Sequence, residues 1–286
     1  MNWGKAKNFT IAFLALLNIV LGAQTILGRR VHRLDAAQLR NIRAVLENAN
    51  IRLDTPIPVS YSPMRQMALA RCDYDYDALA GLFFDAPEEA VRSDEPDKIV
   101  FRADAATLSV QNNGYVAFYN PGGMGETASF DESSAKALCD GFIEEMSVSM
   151  QGLEFDNCVY EQEDGGFRID YRQVYGNTVI YSNYVSFLVT GGGITQMDCY
   201  YGKPLGYTGA SMNICPPDVA LLEFMEGITG YYGNDDYSVT VTRIDIVYYQ
   251  EGYSVPYYET FNATPWYRIT YFDGPDETSS LLNAYR

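Results

Sequence analysis

FRIDYRQVYGNTVIYSNYVSFLV, residues 167–189, is the part of the sequence from which the fold class follows. β-Branched and aromatic residues dominate on both sides of Gly176 and Asn177, a pair typical of a two-residue hairpin turn. A hairpin joins antiparallel neighbours directly, whereas parallel neighbours require a crossover of a dozen or more residues. The stretch therefore predicts two long antiparallel strands.

The same arrangement, one helix followed by strands, occurs twice in the second half of the chain. Residues 133–150 (SSAKALCDGFIEEMSVSM) have the apolar spacing of an amphipathic helix and precede the hairpin. Residues 217–228 (PDVALLEFMEGI) predict a second helix, and strand-like stretches follow from residue 237 onward. The sequence therefore predicts an α+β fold of antiparallel sheets packed with helices, with a repeated helix-plus-strands unit in its second half.

The first half also opens on a predicted helix. Asp35 is a suitable N-cap, and apolar residues follow at helical spacing: Leu39, Ile42, Leu46 and Ala49. The sequence TPIP at residues 55–58 is expected to end this helix, because proline cannot continue it. A second, short helix is predicted at residues 77–84.

Glycine-containing turns divide the chain further. Asn113-Gly114 predicts a hairpin, since a type I′ turn requires positive φ at both central residues. NPGGMGE at residues 120–126 then interrupts the strand pattern, and we place a domain boundary there. The predicted divisions are a cytoplasmic tip and transmembrane anchor (1–33), an N-terminal α+β domain (34–125) and a C-terminal α+β domain of two helix-plus-strand units (126–286).

Charge is distributed unevenly along the 286 residues. The first 33 residues hold 5 of the 20 Lys and Arg, which leaves 15 against all 37 Asp and Glu, a formal charge of −22 for residues 34–286. So acidic a body repels phosphate backbones, and this excludes nucleic acid as an expected partner. The alternative meaning of the acidity is solubility alone.

The scarcity of histidine excludes several kinds of catalytic site. The only histidine, His32, lies beside the apolar leader, so the body has no imidazole for a Ser–His–Asp triad, a Cys–His pair or a multi-histidine metal site. The five cysteines form no C-x-x-C pair and are interpreted as buried apolar residues, with one or two disulfides as the alternative. We therefore predict no catalytic residue, no cofactor and no metal site.

Two acidic groups have some features of functional sites. DYDYD at residues 73–77 resembles the opening of a calcium loop, but Ala78 and Phe84 occupy the positions that require Gly and Glu. Paired carboxylates can hydrolyse glycosides, yet nothing in the sequence makes any two candidates converge. Those candidates are Glu161, Glu163, Asp164, Asp235 and Asp236. The 24 tyrosines suit either cross-strand pairing or stacking on sugar rings.

The leader has the length of a membrane span. Residues 9–27 form a 19-residue stretch without charge, which as a helix extends roughly 28 Å. Cleavage after Ala23 would put Leu21 where a signal peptidase requires a small residue. We interpret the leader as a retained single-pass anchor. The charges at its two ends are nearly balanced, so they do not fix its orientation.

Polar and small residues inside the span are candidates for contacts with other membrane helices. Asn18 and Gln24 can form hydrogen bonds between helices, and Gly22 allows close approach. The alternative is that a single-pass helix simply tolerates these side chains. Trp3 completes the set of predicted partner-contact residues.

Motifs at both ends of the chain resemble the YycI family. At the amino terminus these are Trp3, Lys5 and Lys7, then Leu17-Asn18-Ile19 and Gln24. At the carboxyl terminus they are residues 244–249 (IDIVYY, with Tyr248 and Tyr249), Pro265, Trp266, Arg268 and the Asn283-Ala284 pair. Asn2 stands where the family usually has Asp, and Trp266 precedes Tyr267 where the family pattern has Trp directly before Arg.

The resemblance implies a role in signalling. YycI-type proteins are membrane-anchored, with the amino terminus inside the cell and an α+β body outside. The implied partners are a YycH-like protein and the sensor histidine kinase of the cell-envelope two-component system, WalK or YycG, reached through membrane helices. We therefore expect a non-enzymatic regulator at the cell membrane. The alternatives are an anchored glycan- or peptide-binding module and, third, a carboxylate-based hydrolase.

Overall fold

The computed structural model describes residues 13–15, 17–18, 31–125, 130–146, 150–233, 237–251 and 259–285. It is a mixed α+β structure with few helices, dominated by a large sheet that is mostly antiparallel. By packing, the described residues divide into two compact units. The first unit comprises residues within 1–64, 211–245 and 267–286, and the second comprises residues within 65–210 and 246–266.

The helices with defined ends in the described chain are α1 (Ala36–Asn48), α2 (Tyr76–Phe83), α3 (Glu132–Met146) and α4 (Pro217–Tyr232), with a 3-10 turn at Pro87–Glu89. The strands of the first half are β1 (His32–Arg33), β2 (Ile51–Leu53), β3 (Ser60–Tyr61), β4 (Met64–Arg71), β5 (Val91–Asp94), β6 (Lys98–Ala103), β7 (Ala106–Gln111) and β8 (Tyr115–Met124). Those of the second half are β9 (Leu153–Glu161), β10 (Gly166–Tyr175), β11 (Thr178–Thr190), β12 (Gly193–Tyr200), β13 (Gly202–Met212), β14 (Val239–Tyr249), β15 (Thr260–Asp273) and β16 (Asp276–Asn283).

In the first unit, α1 begins at the predicted cap. The Asp35 carboxylate accepts hydrogen bonds from the backbone N–H groups of Ala37 and Gln38, both at 2.8 Å, and Gln38 Oε1 accepts from Asp35 N at 2.9 Å. This capping box satisfies three backbone donors that a helix start would otherwise leave open. Ile42 and Leu46, four residues apart, are the buried positions of the helix. They share the unit's core with Leu221, Phe224 and Ile228 of α4.

The first unit also contains a parallel strand pair. β2 runs parallel to β14, with Ile51 opposite Val239 and Leu53 opposite Val241. The expectation of antiparallel sheets is correct for most pairs but wrong for this one and for the parallel pairing of Ile180 in β11 with Tyr248 in β14. In both cases the strands are far apart in sequence and no hairpin turn constrains their direction. The β16 strand pairs with β15, and β1 pairs with β3.

The second unit is built on antiparallel neighbours. Strands β5 to β8 pair in sequence order, and β8 then pairs with β12, β12 with β11, β11 with β10 and β10 with β9. Phe83 of α2 packs on Phe118 of β8 and on Phe142 of α3, with ring centroids 4.6 and 5.1 Å apart. Phe142 also contacts Phe187 of β11 at 5.6 Å. Helices α2 and α3 therefore bury the aromatic face of this sheet.

Both predicted hairpins are present, with different turns. Gly176 and Asn177 have φ of 56° and 71°, and Tyr175 pairs with Thr178, which confirms a two-residue turn. At the other hairpin only Gly114 has positive φ, 88°, so the predicted type I′ turn is wrong. Asn113 instead uses its side chain, whose Oδ1 accepts a hydrogen bond from Tyr115 N at 2.9 Å.

Several helix ends differ from the sequence prediction. Helix α1 ends at Asn48, before TPIP, and Asn50 follows with φ of 56°. Helix α2 starts one residue earlier than predicted, and Asp75 caps it by accepting from Ala78 N at 3.1 Å. Helix α4 continues beyond the predicted end at Ile228 to Tyr232, which stacks on Tyr237.

No helix in the described residues is long and apolar enough to cross a membrane. Most of the predicted anchor at residues 9–27 lies outside the described residues. Within it, residues 13–15 and 17–18 are helical. The predicted domain boundary between residues 125 and 126 remains a prediction.

Candidate functional site

The predicted membrane contacts are described only at Asn18. That residue is helical and exposed, and so are its neighbours Phe13, Leu14 and Leu17, which are 56%, 51% and 42% exposed. The other predicted residues of the leader, Trp3, Lys5, Lys7, Gly22 and Gln24, lie outside the described residues. In the described part of the leader, large apolar side chains are therefore left uncovered.

Arg268 of the carboxyl-terminal motif is buried in the first unit. It donates hydrogen bonds from Nε and Nη2 to the two carboxylate oxygens of Asp245, at 2.9 and 2.7 Å. Asn283, near the end of β16, is exposed, and its Oδ1 accepts from Tyr285 N at 2.9 Å. Arg268 therefore links β15 to β14, and Asn283 fixes the backbone at the end of β16.

The motif residues of the second unit are also structural. Tyr248 is buried and donates from its hydroxyl to the Arg65 carbonyl at 2.8 Å. Tyr249 lies edge-on to Trp266, with centroids 5.2 Å apart, and Trp266 Nε1 donates to Thr264 Oγ1 at 2.9 Å. Pro265 is buried beside them. These motif residues therefore contribute to packing within the second unit.

A buried amide network lies elsewhere in the second unit. Gln173 Nε2 donates to the Tyr201 hydroxyl at 2.7 Å and to the Gln151 carbonyl at 2.8 Å. Asn183 Nδ2 donates to Gln173 Oε1 and to the Gly202 carbonyl, both at 2.6 Å, and Asn183 Oδ1 accepts from Gly202 N at 3.0 Å. Each amide thus uses both its donor and its acceptor side, so the network is rigid.

A bulge in β11 positions Asn183. Arg172 pairs with Tyr184, but the next residue, Gln173, pairs with Ile180. Residues 181–183 therefore have no paired residue in β10. Such a bulge turns a strand side chain away from the regular alternation. The polar pair Ser182-Asn183 within an otherwise apolar strand was the sequence signal for this site, and the sequence reasoning missed it.

The network forms the floor of a cavity of about 490 Å³. The residues that line it are Gln151, Gly152, Gln173, Val174, Tyr175, Tyr201, Lys203 and Pro204. Tyr175 stands at its edge, exposed, and packs edge-on against Tyr207 with centroids 6.1 Å apart. Amides, tyrosine surfaces and one ammonium group suit a polar, uncharged or weakly anionic ligand such as a sugar or a peptide.

Two titratable groups near this cavity, the Tyr201 hydroxyl and the Cys72 thiol, have raised pKa values. Burial raises the pKa of Tyr201, although hydrogen bonds from the Gln151 backbone and from Gln173 act in the opposite direction. Its hydroxyl therefore serves as a hydrogen-bonding group at neutral pH. Burial also raises the pKa of the Cys72 thiol, with Lys203 opposing the shift weakly.

Three further cysteine thiols have raised pKa values. Burial raises the pKa of Cys158 to about 11 and raises those of Cys139 and Cys199 further. All five cysteines lie in the described part of the chain, and no disulfide joins them. Since the thiolate is the reactive form, these side chains are poor nucleophiles at neutral pH.

Three of the candidate carboxylates, Glu161, Glu163 and Asp164, lie at the β9–β10 turn, where Glu161 and Asp164 share a hydrogen bond that raises the pKa of Asp164. Glu161 forms an ion pair with Arg168, and Glu163 and Asp164 lie exposed in the adjacent turn. Asp235 and Asp236 lie outside the described residues. No group of three His, Cys, Asp or Glu among the described residues is placed to hold a metal ion.

Comparison with known proteins finds distant structural likeness. No protein-family model matches the chain, and no curated protein matches its sequence. The crystal structure of an uncharacterized protein from Eubacterium rectale ATCC 33656 is 12% identical with a TM-score of 0.45, and the match covers 82% of this chain and 89% of that one. The Bacillus megaterium YpeB C-terminal domain is 10% identical with a TM-score of 0.42, and the match covers 75% of this chain and 94% of that one. Membership of the YycI family stays a prediction.

Proposed function

We propose that this chain is a non-enzymatic, membrane-anchored regulator of a cell-envelope sensor histidine kinase, which acts together with a YycH-like partner. The observation that carries the proposal is the exposure of Phe13, Leu14 and Leu17, which are helical and lie within an uncharged 19-residue stretch. Large apolar side chains on an uncovered helix require lipid or another apolar surface. A bilayer supplies both lipid and neighbouring helices.

Regulation in this proposal passes between membrane helices. Asn18 is exposed on the same helical stretch, so its amide is available to a neighbouring helix. A hydrogen bond of this kind contributes up to about 1–2 kcal/mol in a membrane. A contact that favours one kinase conformation by that amount shifts its population severalfold to tenfold or more, without any chemistry in the regulator.

The acidic body supports a location outside the cell in this proposal. The formal charge of −22 on residues 34–286 follows the basic residues that flank the span. The body would then hold the anchor at a defined position beside its partners. We propose an amino terminus in the cytoplasm and a body on the outer face of the cell membrane.

The experiment is co-purification of the full-length chain with the kinase and the YycH-like protein from detergent-solubilised membranes. The double variant Asn18→Leu/Gln24→Leu is expected to capture both partners less well while remaining in the membrane fraction, because only interhelical hydrogen bonds are lost. Leu17→Ile is the matched control on the same span and should capture them as the unmodified chain does. Undiminished capture by the double variant, or no capture by the unmodified chain, would contradict the proposal.

The second candidate function is an anchored glycan- or peptide-binding module. The observation that favours it is the second-unit cavity, with Gln173 and Tyr201 on its floor and Lys203 and Tyr175 at its edge. Soluble cell-wall fragments should then bind the full-length chain in detergent micelles. Lys203→Met should weaken that binding, whereas Lys98→Met, which alters a lysine beside Glu95, should not. Equal binding by both variants would count against this candidate.

A further inference from the structure

The first unit contains a cavity of its own, of about 440 Å³, between α4 and strands β15 and β16. Phe224, Ile228 and Tyr271 line it and also belong to or pack against the hydrophobic core of this unit. Tyr231 and Tyr232 of the last turn of α4 stand at its opening. The lining therefore combines apolar and aromatic side chains.

The aromatic rings are held at fixed angles. Phe224 and Tyr271 meet at 63° with centroids 5.1 Å apart, and Tyr232 stacks on Tyr237 at 4.8 Å. Tyr231 stands at 89° to Tyr232 and is 82% exposed. The face of an aromatic ring carries negative charge density and attracts cations. Four aromatic residues, Phe224, Tyr231, Tyr232 and Tyr271, line this one cavity.

Two carboxylates add formal negative charge. Glu223 and Asp273 both line the cavity, and the Asp273 carboxylate accepts a hydrogen bond from the Tyr232 hydroxyl. That hydrogen bond raises the pKa of Tyr232 to about 12, so the hydroxyl keeps its proton at neutral pH. None of the described residues that line the cavity carries a positive charge. The negative end of the α4 dipole lies at the same opening, and the last turn contains no basic residue.

Glycine keeps the cavity open. Gly227 lines it, and a Cβ placed on this residue would meet no other atom within 4 Å. Glycine inside a helix destabilises the helix relative to alanine. The empty volume in front of Gly227 is thus space that an ordinary side chain would fill.

We propose that this cavity binds an organic cation, an ammonium or guanidinium group carried by a free small molecule or by a lysine or arginine side chain of a peptide. An anion would meet Glu223, Asp273 and the negative helix end, and a neutral apolar ligand would leave both carboxylates without compensation. A bare metal ion is disfavoured, because the described lining offers two carboxylates and otherwise aromatic, apolar and hydroxyl groups. The inference does not depend on the proposed membrane role.

The test is calorimetric titration of the full-length chain in detergent micelles at low ionic strength, with choline and its neutral isostere 3,3-dimethylbutan-1-ol. Choline is expected to bind with at least about tenfold higher affinity than the isostere, since cation–aromatic and charge–charge attraction act on choline alone. A trilysine peptide and a trinorleucine peptide form the second arm. Binding of choline only identifies a free small cation, and binding of trilysine only identifies a peptide side chain. Binding of neither, or equal binding of the neutral analogues, overturns the proposal.

Variants assign the binding to this cavity. Gly227→Leu is expected to abolish it by filling the space, and Asp273→Asn to weaken it about tenfold by removing a charge. Glu226→Gln is the matched control, because Glu226 is an exposed residue of the same helix outside the cavity. Circular dichroism verifies that each variant is folded, and Asp273→Asn tests the proposal independently should Gly227→Leu not fold. Binding that survives both substitutions, or that Glu226→Gln weakens equally, overturns the assignment.

Discussion

Arg268 binds both carboxylate oxygens of Asp245, with Nε and Nη2 donating at 2.9 and 2.7 Å across the β14–β15 pair. Arg268 is only 2% exposed, whereas the Asp245 side chain is 35% exposed. A planar guanidinium fits a carboxylate in this two-pronged arrangement, and lysine does not. The carboxyl-terminal motif that resembles the YycI family therefore includes a buried ion pair which fixes two strands of the first unit.

Asp245→Asn should destabilise the chain strongly. The substitution leaves the buried guanidinium without its carboxylate, and removal of one member of a buried pair costs about 3–5 kcal/mol. Partial exposure of Asp245 places the expected loss at the lower end of that range. Urea unfolding followed by Trp266 fluorescence measures the change.

The matched control for this pair is Asp54→Asn. Asp54 pairs with Arg52 at 3.0 Å, but the two side chains are 50% and 69% exposed. Solvent screens such a pair, so its loss should change the free energy of unfolding by less than about 1 kcal/mol. Equal effects of the two substitutions would show that burial of Arg268 does not make its ion pair important.

Tyr201→Phe should destabilise the second unit. The Tyr201 hydroxyl accepts from Gln173 Nε2 at 2.7 Å and from Gln151 N at 3.0 Å, so its removal leaves both donors short of an acceptor. The expected cost is about 1–3 kcal/mol. Tyr119→Phe, at a tyrosine that is 55% exposed, should have almost no effect in the same unfolding measurement. Equal stability of Tyr201→Phe and the unmodified chain would show that the network does not depend on this hydroxyl.

Glu161→Gln should change how stability depends on pH. Hydrogen bonding from Arg168 lowers the pKa of Glu161; burial acts against this shift, and the hydrogen bond shared with Asp164 adds to it. The pair therefore stabilises the folded chain fully above the ordinary glutamate pKa of about 4.3, and this contribution is lost as pH falls through the lower folded-state value. The variant should be less stable by up to about 1 kcal/mol at pH 7 and equally stable in strong acid.

Unfolding curves from pH 2 to pH 7 measure this difference. Glu163→Gln, in the exposed turn next to Glu161, is the control and should follow the unmodified chain throughout. The difference in free energy of unfolding between Glu161→Gln and the unmodified chain should shrink towards acid. A difference that grew towards acid would have the wrong sign for a carboxylate whose pKa is lowered on folding.

The cysteines should react slowly in the folded chain. Cys139, Cys199 and Cys215 are buried, and the raised pKa values of Cys72 and Cys158 keep these half-buried thiols protonated at neutral pH. A thiol reagent at pH 7 should therefore label the native protein slowly. After unfolding without reductant it should detect all five thiols, and a count of three or one would reveal disulfides that contradict the structure.

Local features were predictable because they depend on neighbouring residues. The capping residue Asp35, the apolar spacing that buries Ile42 and Leu46, and the Gly176-Asn177 turn all act within a few positions. The parallel pairing of Ile51 with Val239 was not predictable, since alternating patterns specify a strand without specifying its partner.

The two cavities were beyond sequence reasoning for the same reason. Asn183 reaches Gln173 only because of the bulge in β11, and Tyr201, which lies between β12 and β13, joins them. In the first unit, Tyr232 meets Asp273 from 41 positions away. The abundance of tyrosine indicated aromatic surfaces but did not indicate which of them would enclose space.

The retained anchor is the central claim, and photo-crosslinking from position 18 in native membranes tests it most directly. A photoreactive amino acid in place of Asn18, followed by mass spectrometry of the adducts, should identify the sensor kinase or the YycH-like protein joined to a chain that still carries its leader. Recovery of an active chain that begins beyond Arg30 and carries no adduct to either protein would contradict the account.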